Sequence, residues 1–420
     1  MTDTITTGEI TESVEDFRLR ARAWLADNMP KVDPNFKPPP PGDDDAEWQR
    51  TRELQKMLHA GGFAGIHFPK EYGGLGLSPE HQAAFTEESD GYQMPLLLNV
   101  PTFSICAPTI LDMGSEEQKR ERLSAAIRGD EIFVQFLSEP SGGSDLAGLI
   151  TRADRDGDTW VLNGAKTWST SAYAADWALC LARTDWDAPK HRGLTMFLIR
   201  TDSPGIDMRR IRQVNGSTEF CGEFFDDVVL PADAVVGEVN NGWAVASRQL
   251  FHERTAVGGG SPFTSGRGNG RGATPRTKLA DVARLAGRAG DPTVRAMVGE
   301  HRAMERVQEQ LIARVTEGIK TEAMPPPAAS LMRLFHAEAD WMREDMAISI
   351  GGPFVVAGTD SEPGLGGRAG INYLMRQGAS LGGGSSEMSR NIISERILGM
   401  PREFAADRDM PFSQVKRGPS

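Results

Sequence analysis

Cysteine is scarce in this chain, and the few cysteines present are poorly placed for cross-linking. Three occur in 420 residues, at Cys106, Cys180 and Cys221, and no C-x-x-C pair joins any of them. This odd and scattered set excludes a disulfide framework and predicts the reduced thiols of a cytoplasmic protein.

Positive charge and histidine are also in short supply. Acidic residues outnumber basic ones by 58 to 46, which leaves a formal net charge of −12. A chain this acidic lacks the basic face that nucleic-acid binding requires, and it has no polybasic patch for an anionic membrane. The seven histidines show no paired spacing typical of metal ligands, so we expect no metal site.

Long apolar runs are missing as well. The acidic start, MTDTITTGEITESVEDF, has no hydrophobic stretch of the kind found in signal peptides. We find no apolar run long enough to span a membrane. These absences predict a soluble chain of the cytoplasm.

What the chain does contain is a change of periodicity along its length. Residues 13–30 repeat apolar side chains at helical spacing, and short β-type runs separated by glycine, asparagine, aspartate and proline occupy residues 131–237. Helical spacing returns after Gly242 and continues nearly to the end. A glycine-rich, basic stretch, 258–276, predicts a flexible surface loop because its spacing fits no phosphate-binding loop.

This order of periods predicts an α+β fold of three domains. We expect an N-terminal α-helical domain over residues 1–130 and a central antiparallel β domain over 131–240. The last part, 241–420, is long enough for a C-terminal four-helix-bundle domain.

Two motifs in the β region are unusual in composition. FLSEPSGGSD (136–145) places backbone N–H groups and serine hydroxyls after a strand, where they suit either an ordinary turn or a phosphate-bearing ligand. LNGAKTWSTS (162–171) sets a tryptophan among hydroxyl side chains, which suits either a core residue or one wall of an aromatic cofactor.

Together these motifs resemble those of the acyl-CoA dehydrogenase family. The resemblance covers nearly the whole chain, since it also includes FPKEYGGLGLS near the start and GGGSSEMSRNIISERILGMPRE near the end. It implies a flavoprotein that binds FAD, desaturates an acyl-CoA thioester between Cα and Cβ, and passes electrons to an electron-transfer flavoprotein. The mixture looks most like the actinobacterial branch, whose members include enzymes for bulky or sterol-derived acyl chains.

The resemblance also implies positions for the cofactor. Residues expected to line the flavin and its diphosphate are Phe136, Leu137, Ser138 and Ser144. Residues expected to flank the isoalloxazine ring are Trp168 and Thr170. Residues expected at the flavin nucleotide from the last helical segment are Ser385 and Glu387, and those expected to touch the neighbouring subunit's FAD are Gly351 and Gly352.

The position of the catalytic base needs a choice between two sites. Many family members carry a glutamate seven residues before the arginine that matches Arg390, but here that position is Gly383, which cannot act as a base. A minority, including isovaleryl- and long-chain acyl-CoA dehydrogenases, carry it in a Glu-Arg pair on the first helix after the β domain. The stretch ASRQLFHERTAVGGG has Glu253 and Arg254 there. The resemblance therefore implies Glu253 as the base, with the backbone N–H of Gly383 donating to the thioester oxygen.

Helical spacing supports this choice independently. Ala246, Leu250, Glu253 and Val257 follow at steps of four, three and four, so the glutamate interrupts an apolar face. Partial burial there would raise its pKa towards the range of a general base. The alternative is that Glu253 pairs with a basic residue on a neighbouring helix and meets no substrate. His252 points about 100° away, and we expect it at the surface or at an interface.

Other polar groups of the motifs fit structural roles better. We expect Glu139 and Asp145 to form and cap the turn of the FLSEPSGGSD motif (136–145), which we call the flavin turn. The family usually carries Arg-x-x-Phe after the first bundle helix, and the nearest match is RTKL, Arg276 to Leu279, with leucine replacing phenylalanine. This departure leaves the FAD contact across subunits open.

Several readings of function and assembly therefore remain. The resemblance implies an acyl-CoA substrate and a homodimer or homotetramer, although some relatives work as heteromers in which a partner completes the flavin site. The alternatives to a dehydrogenase are an acyl-CoA oxidase on the same fold and a non-catalytic partner subunit.

Overall fold

The computed structural model of the chain describes residues 12–33, 44–257, 261–266, 278–356 and 365–416. Helices precede and follow a central sheet, in the order that the sequence periodicity predicts. The α-helices are α1 (Val14–Asn28), α2 (Asp45–Ala60), α3 (Pro79–Glu88), α4 (Ala107–Met113), α5 (Glu116–Gln118), α6 (Ser124–Arg128), α7 (Gly242–Val257), α8 (Leu279–Leu285), α9 (Pro292–Lys320), α10 (Ala329–Gly351), α11 (Pro353–Val356), α12 (Leu365–Met375) and α13 (Ser386–Ile392).

The strands all belong to one eight-stranded sheet. They are β1 (Phe133–Phe136), β2 (Arg152–Asp156), β3 (Thr159–Thr170), β4 (Trp177–Arg183), β5 (Leu194–Arg200), β6 (Ile206–Ile211), β7 (Phe220–Pro231) and β8 (Val235–Val236). The sheet runs β6-β7-β3-β2-β4-β5-β8, with β1 beside β4. Most neighbours are antiparallel, as expected, but β4 pairs in parallel with β1 and β2, so the sheet is mixed.

One continuous core joins the N-terminal helices to the sheet. β4 and β5 are buried along nearly their whole length, because both of their faces are covered, and their sequences are almost unbroken apolar runs. β7 instead alternates, with Cys221, Glu223 and Phe225 pointing inwards. A carboxylate at one of these inward positions is unusual and bears on the site described below.

The helical segment Leu96–Met113 is part of this core. Its length and composition are sufficient for a membrane span, so our expectation that no run reaches that length is wrong for this stretch. The segment is mostly buried inside the protein, as a core helix is.

The C-terminal helices divide between two cores. α8, α9, α10 and α12 surround a second apolar cluster that includes Val282, Val294, Ile350 and Ala369. α7 instead packs on α4 and β5, and its Val245 belongs to the first core. The helix that carries Glu253 is thereby fixed against the sheet and the helices of the first core.

Candidate active site

The two motifs of the β domain meet in space. The backbone N–H of Thr167 donates to the carbonyl oxygen of Ser138 at 2.9 Å, and the Lys166 ammonium donates to the carbonyl oxygen of Leu137 at 3.1 Å. The end of β1 and the middle of β3 therefore form one surface, although about 30 residues of chain separate them.

Trp168 is the most exposed feature of that surface. Its backbone has a φ of +64°, and the register of β3 against β7 shifts between Thr167 and Ser169. A bulky residue is strained in this left-handed region, and such strain persists where the surrounding structure imposes it. The bulge leaves the indole 56% exposed, edge-on to Phe220 at 5.8 Å. The half-buried Thr170 follows on the same strand.

The other residues expected at the flavin differ in what they offer a ligand. The rings and side chains of Phe136 and Leu137 are buried in the core, and Phe136 lies 6.0 Å from Phe225. Only their backbone is suited to face a cofactor. Ser138 is half-buried and Ser144 is exposed, so their hydroxyls remain available to one.

Behind this surface lies a buried ion pair. The Glu139 carboxylate accepts from the Lys166 ammonium at 2.9 Å and from the backbone N–H groups of Ile150 and Thr151 at 2.7 and 2.8 Å. Burial acts to raise the pKa of Glu139, but Lys166 and the hydrogen bonds outweigh it and hold that pKa below its ordinary range. Glu139 is thus more than the turn and capping residue that we expected, because it anchors the flavin turn to β3.

A second carboxylate in the same interior has fewer partners. Glu223 is fully buried and accepts from the Ser169 hydroxyl at 2.9 Å, while its other oxygen has no hydrogen-bond partner among the described residues. Burial raises its pKa to about 7, against smaller effects of Ser169 and Lys166. A carboxyl group with this pKa titrates near neutral pH, and it lies against Ser169, the residue that follows Trp168.

Glu253 lies on α7, facing the end of β1. Ala246 is buried and Leu250 packs on the core, which confirms the predicted apolar face, whereas the side chain of Val257 lies outside the described part of the chain. Glu253 is partly buried, and burial raises its pKa. The amide of Gln135 donates to its Oε2 atom at 3.4 Å.

The opposite side of α7 is paired conventionally. Asp112 of α4 accepts from the Arg248 guanidinium and, at 2.7 Å, from the His252 ring. His252 is buried in this contact, so of the two expected positions the surface one is wrong and the interface one stays a prediction. The reason is that Asp112 compensates the burial of a polar ring that faces α4.

The glycine loop, residues 382–384, contacts helix α10. Gly383 has a φ of +69°, where a glutamate side chain would be strained. The carbonyl oxygens of Gly382 and Gly384 accept from the Arg333 guanidinium of α10 at 2.7 and 2.9 Å. Among the described residues these polar contacts lead to α10 and not to Glu253, so the role of Gly383 at the thioester stays a prediction.

The remaining cofactor positions lie at two ends of α10. Ser385 caps α13 by accepting from the backbone N–H of Met388 at 3.2 Å, and Glu387 follows, exposed, in the first turn. Gly351 and Gly352 lie at the C-terminal end of α10, whereas Arg333, which contacts the glycine loop, lies near its start. At about 1.5 Å per residue, the two positions are about 27 Å apart along the helix. One protomer therefore does not bring these two pairs together. Arg276 lies outside the described residues.

A C-terminal segment crosses the flavin turn. Lys190 pairs with Asp145 of the turn at 3.2 Å and with Asp407 at 2.9 Å. Further along, the ring of Phe412 packs 5.5 Å from Trp186 and beneath the Arg183 guanidinium. The turn is thus tied both to the sheet through Glu139 and to the end of the chain through Asp145.

Three polar residues of this region escaped the sequence-based prediction. Gln135 directly precedes the flavin motif, Lys166 lies inside the second motif, and Glu223 occupies an inward position of β7. A signal existed for the last two, because a charged residue at an inward position of an alternating strand requires a partner or a function.

Comparison with known proteins places these features in a family. Three models match, in order, the N-terminal domain of acyl-CoA dehydrogenases over residues 11–130, the middle domain over 135–228 and the C-terminal domain over 240–398. The acyl-CoA dehydrogenase IpdE1 of Mycobacterium tuberculosis is 34% identical over 395 residues, which are 93% of this chain and 99% of that relative.

Two solved structures agree over almost the full length. The structure named "Tcur3481-Tcur3483 steroid ACAD" superposes with a TM-score of 0.70 at 28% identity, covering 94% of this chain and all of that one. The ChsE4-ChsE5 complex from Mycobacterium tuberculosis gives a TM-score of 0.69 at 27% identity, with the same coverage of both chains. The chain therefore belongs to the acyl-CoA dehydrogenase family of FAD-dependent oxidoreductases.

Proposed function

We propose that this enzyme desaturates a bulky, sterol-derived acyl-CoA between Cα and Cβ, with Glu253 as the base that removes the α-proton. The observation that carries the proposal is the hydrogen bond from Gln135 to Glu253. Because Gln135 directly precedes Phe136, this contact sets the carboxylate beside the first residue of the flavin motif. The base and the cofactor surface then share one end of β1.

The surroundings of Glu253 suit proton abstraction. An α-proton of a thioester is weakly acidic, so its removal requires a carboxylate of raised basicity. Burial supplies that basicity by raising the pKa of Glu253, and it outweighs the opposing effects of the Gln135 hydrogen bond and the Arg254 charge. Among the described residues the donor that hydrogen-bonds Glu253 is a neutral amide, which favours a base over a structural ion pair.

The chain's own residues fit a flavin on the β domain. The exposed indole of Trp168 offers a flat apolar wall, and the hydroxyls of Ser138, Ser144 and Thr170 offer polar contacts around it. When bound there, FAD supplies the two-electron acceptor for the hydride that leaves Cβ.

The substrate, the electron acceptor and the assembly are inferred from the relatives. One of the solved relatives is named a steroid enzyme, which favours a sterol-derived acyl group here. We propose electron-transfer flavoprotein as the acceptor and an oligomer as the working form. Because that structure carries a double name and another is described as a complex, a heteromer with a second chain is the second candidate.

The test is anaerobic mixing of the FAD-loaded protein with a panel of acyl-CoAs. Straight, branched and ring-bearing chains are compared, and we expect flavin bleaching to be fastest with the ring-bearing set. Glu253→Gln should retain its flavin and fail to bleach. Full turnover by this variant would overturn the assignment of the base.

Two further readouts separate the alternatives. Reoxidation by electron-transfer flavoprotein without peroxide supports a dehydrogenase, whereas rapid peroxide formation in air supports an oxidase. A protein that stays colourless with added FAD, and gains flavin only with a second chain, supports the heteromer.

A further inference from the structure

The surroundings of Glu253 contain a second buried amide that the proposed reaction does not yet use. Gln249 lies one turn before Glu253 on α7 and is fully buried. Its Nε2 atom donates to the Oε1 atom of Gln135 at 3.2 Å, and Gln135 in turn donates from Nε2 to Glu253 at 3.4 Å. Two amides and a carboxylate therefore form one chain of hydrogen bonds.

We propose that Gln135 and Gln249 are positioning residues for Glu253, which hold its Oε2 atom so that Oε1 faces the substrate. This inference rests on the proposed role of Glu253 as the base. Gln249 acts through Gln135, and Gln135 acts on the carboxylate directly.

The polarity of the chain supports this arrangement. Because the oxygen of Gln135 accepts from Gln249, its NH₂ group must face Glu253. A reversed amide would bring its oxygen against a carboxylate oxygen and would leave Gln249 without an acceptor. Gln249 thus fixes which end of Gln135 meets the base.

The cost of the arrangement indicates a function. The Oε1 atom of Gln249 is buried and has no hydrogen-bond partner among the described residues, which is unfavourable because its hydration is lost without replacement. A purely structural amide in this core would be better replaced by an apolar side chain. Gln55 shows the structural case, since it is equally buried and donates to the carbonyl oxygen of Ile127 at 2.8 Å.

The groups that face Glu253 give Gln135 the larger influence. Among the described residues, three groups interact with the Glu253 carboxylate. They are the charge of Arg254 on the same helix, the buried thiol of Cys106 on the helical segment before α4, and the amide of Gln135 on β1. Burial raises the pKa of Glu253, and the Gln135 hydrogen bond opposes the rise more than Arg254 does. Asp112 of α4 faces another side of α7, where it accepts from Arg248 and His252.

The test is the pH profile of flavin reduction in amide variants. In the plot of reduction rate against pH, Gln135→Met should shift the acidic limb to higher pH by about 0.5–1 unit, because the Glu253 carboxylate loses a hydrogen-bond donor. Reduction at pH 7 should be slower by about tenfold. Gln249→Met should shift the limb in the same direction by less. The double variant should resemble Gln135→Met alone, because the residues act in series.

The matched control is Gln55→Met, which removes a buried amide of the same kind from the N-terminal domain. It should lower stability without moving the limb. Flavin absorbance and circular dichroism establish that each variant is folded, and Gln249→Met decides the matter if Gln135→Met does not fold.

The outcomes separate this inference from the proposed function. If Glu253→Gln is inactive but the limb stays in place in both amide variants, the positioning role is overturned and the base stands. If Glu253→Gln turns over normally, the base itself is overturned.

Discussion

Two carboxylates of the same core, one behind the flavin turn and one on α7, have opposite surroundings. Glu139 accepts from Lys166 at 2.9 Å and from two backbone N–H groups, and its pKa lies below the ordinary range despite burial. Among the residues that the structure describes, Gln135 is the hydrogen-bond donor to Glu253, at 3.4 Å, and burial raises the pKa of that carboxyl. The first is held as a fixed charge that orders a turn, whereas the second is left basic enough to take a proton.

The difference lies in the partners of the two carboxylates rather than in residue type. A buried charge is stable when a counter-charge and hydrogen bonds replace its hydration, and such a group has little tendency to react. A buried acid with a neutral donor keeps a perturbed pKa, which is the condition for general base catalysis. Changing the partners of either carboxylate should therefore change whether that residue mainly affects stability or the rate of the reaction.

The largest effect should come from replacing each acid by its amide. Glu253→Gln should lower the rate of flavin reduction by about 10²–10⁴-fold, because the base is lost, while stability stays the same or rises. Glu139→Gln should instead destabilise the fold by several kcal/mol, since it leaves Lys166 buried without its counter-charge. Stopped-flow reduction and urea denaturation measure the two effects. Loss of stability in both variants alike would remove the distinction.

Removing the counter-charge of Lys166 should leave the buried charge of Glu139 uncompensated. Lys166→Met leaves Glu139 buried and unpaired and takes the donor from the carbonyl oxygen of Leu137, so we expect a loss of about 3–5 kcal/mol in the free energy of unfolding. The double variant Lys166→Met/Glu139→Gln should recover part of this loss. Denaturation of the single and double variants measures the coupling, and simple additivity would contradict it.

The sequence predicts the fold well because period and turn chemistry decide it locally. The helix α1 and the burial of α7 at Ala246 follow from spacing alone. The parallel pairing of β1 with β4 does not, since nothing in the residues between them specifies which strand β1 joins. Tertiary packing decides such long-range pairings.

The candidate site is predictable only in part for a similar reason. Spacing places Glu253 on an apolar face, and the motifs place Trp168 on a strand. The partners of buried polar groups come from distant segments, as Asp112 does for His252 and Lys166 for Glu139. A single sequence carries no record of those contacts.

Glu223 is a third carboxylate on which the comparison of Glu139 with Glu253 can be tested. It is fully buried, accepts from one neutral donor, and has a pKa raised to about 7. The folded protein keeps this proton up to about pH 7, whereas the unfolded chain releases it near pH 4.3. Stability should therefore fall as the pH rises between those values. Glu223→Gln should abolish that fall and exceed the wild type in the free energy of unfolding by on the order of 3–4 kcal/mol at pH 8, with no difference near pH 4.

The control for Glu223→Gln is Glu403→Gln, at an exposed position, which should leave the pH dependence unchanged. Denaturation at a series of pH values makes the comparison. A pH dependence that persists in Glu223→Gln would show that another group is responsible.

The smallest effect should come from the paired face of α7. Burial acts to raise the pKa of Asp112, but its hydrogen bonds with His252 and Arg248 hold that pKa below the ordinary range. Asp112→Asn should cost about 1 kcal/mol at pH 7, a modest value because Arg248 is partly exposed to solvent. Since a lowered pKa contributes stability that is lost as the pH falls through it, wild type and variant should converge in acid. Flavin reduction should change little, because this face of α7 points away from the carboxylate of Glu253, and a loss comparable with that of Glu253→Gln would mean that both faces of the helix serve the reaction.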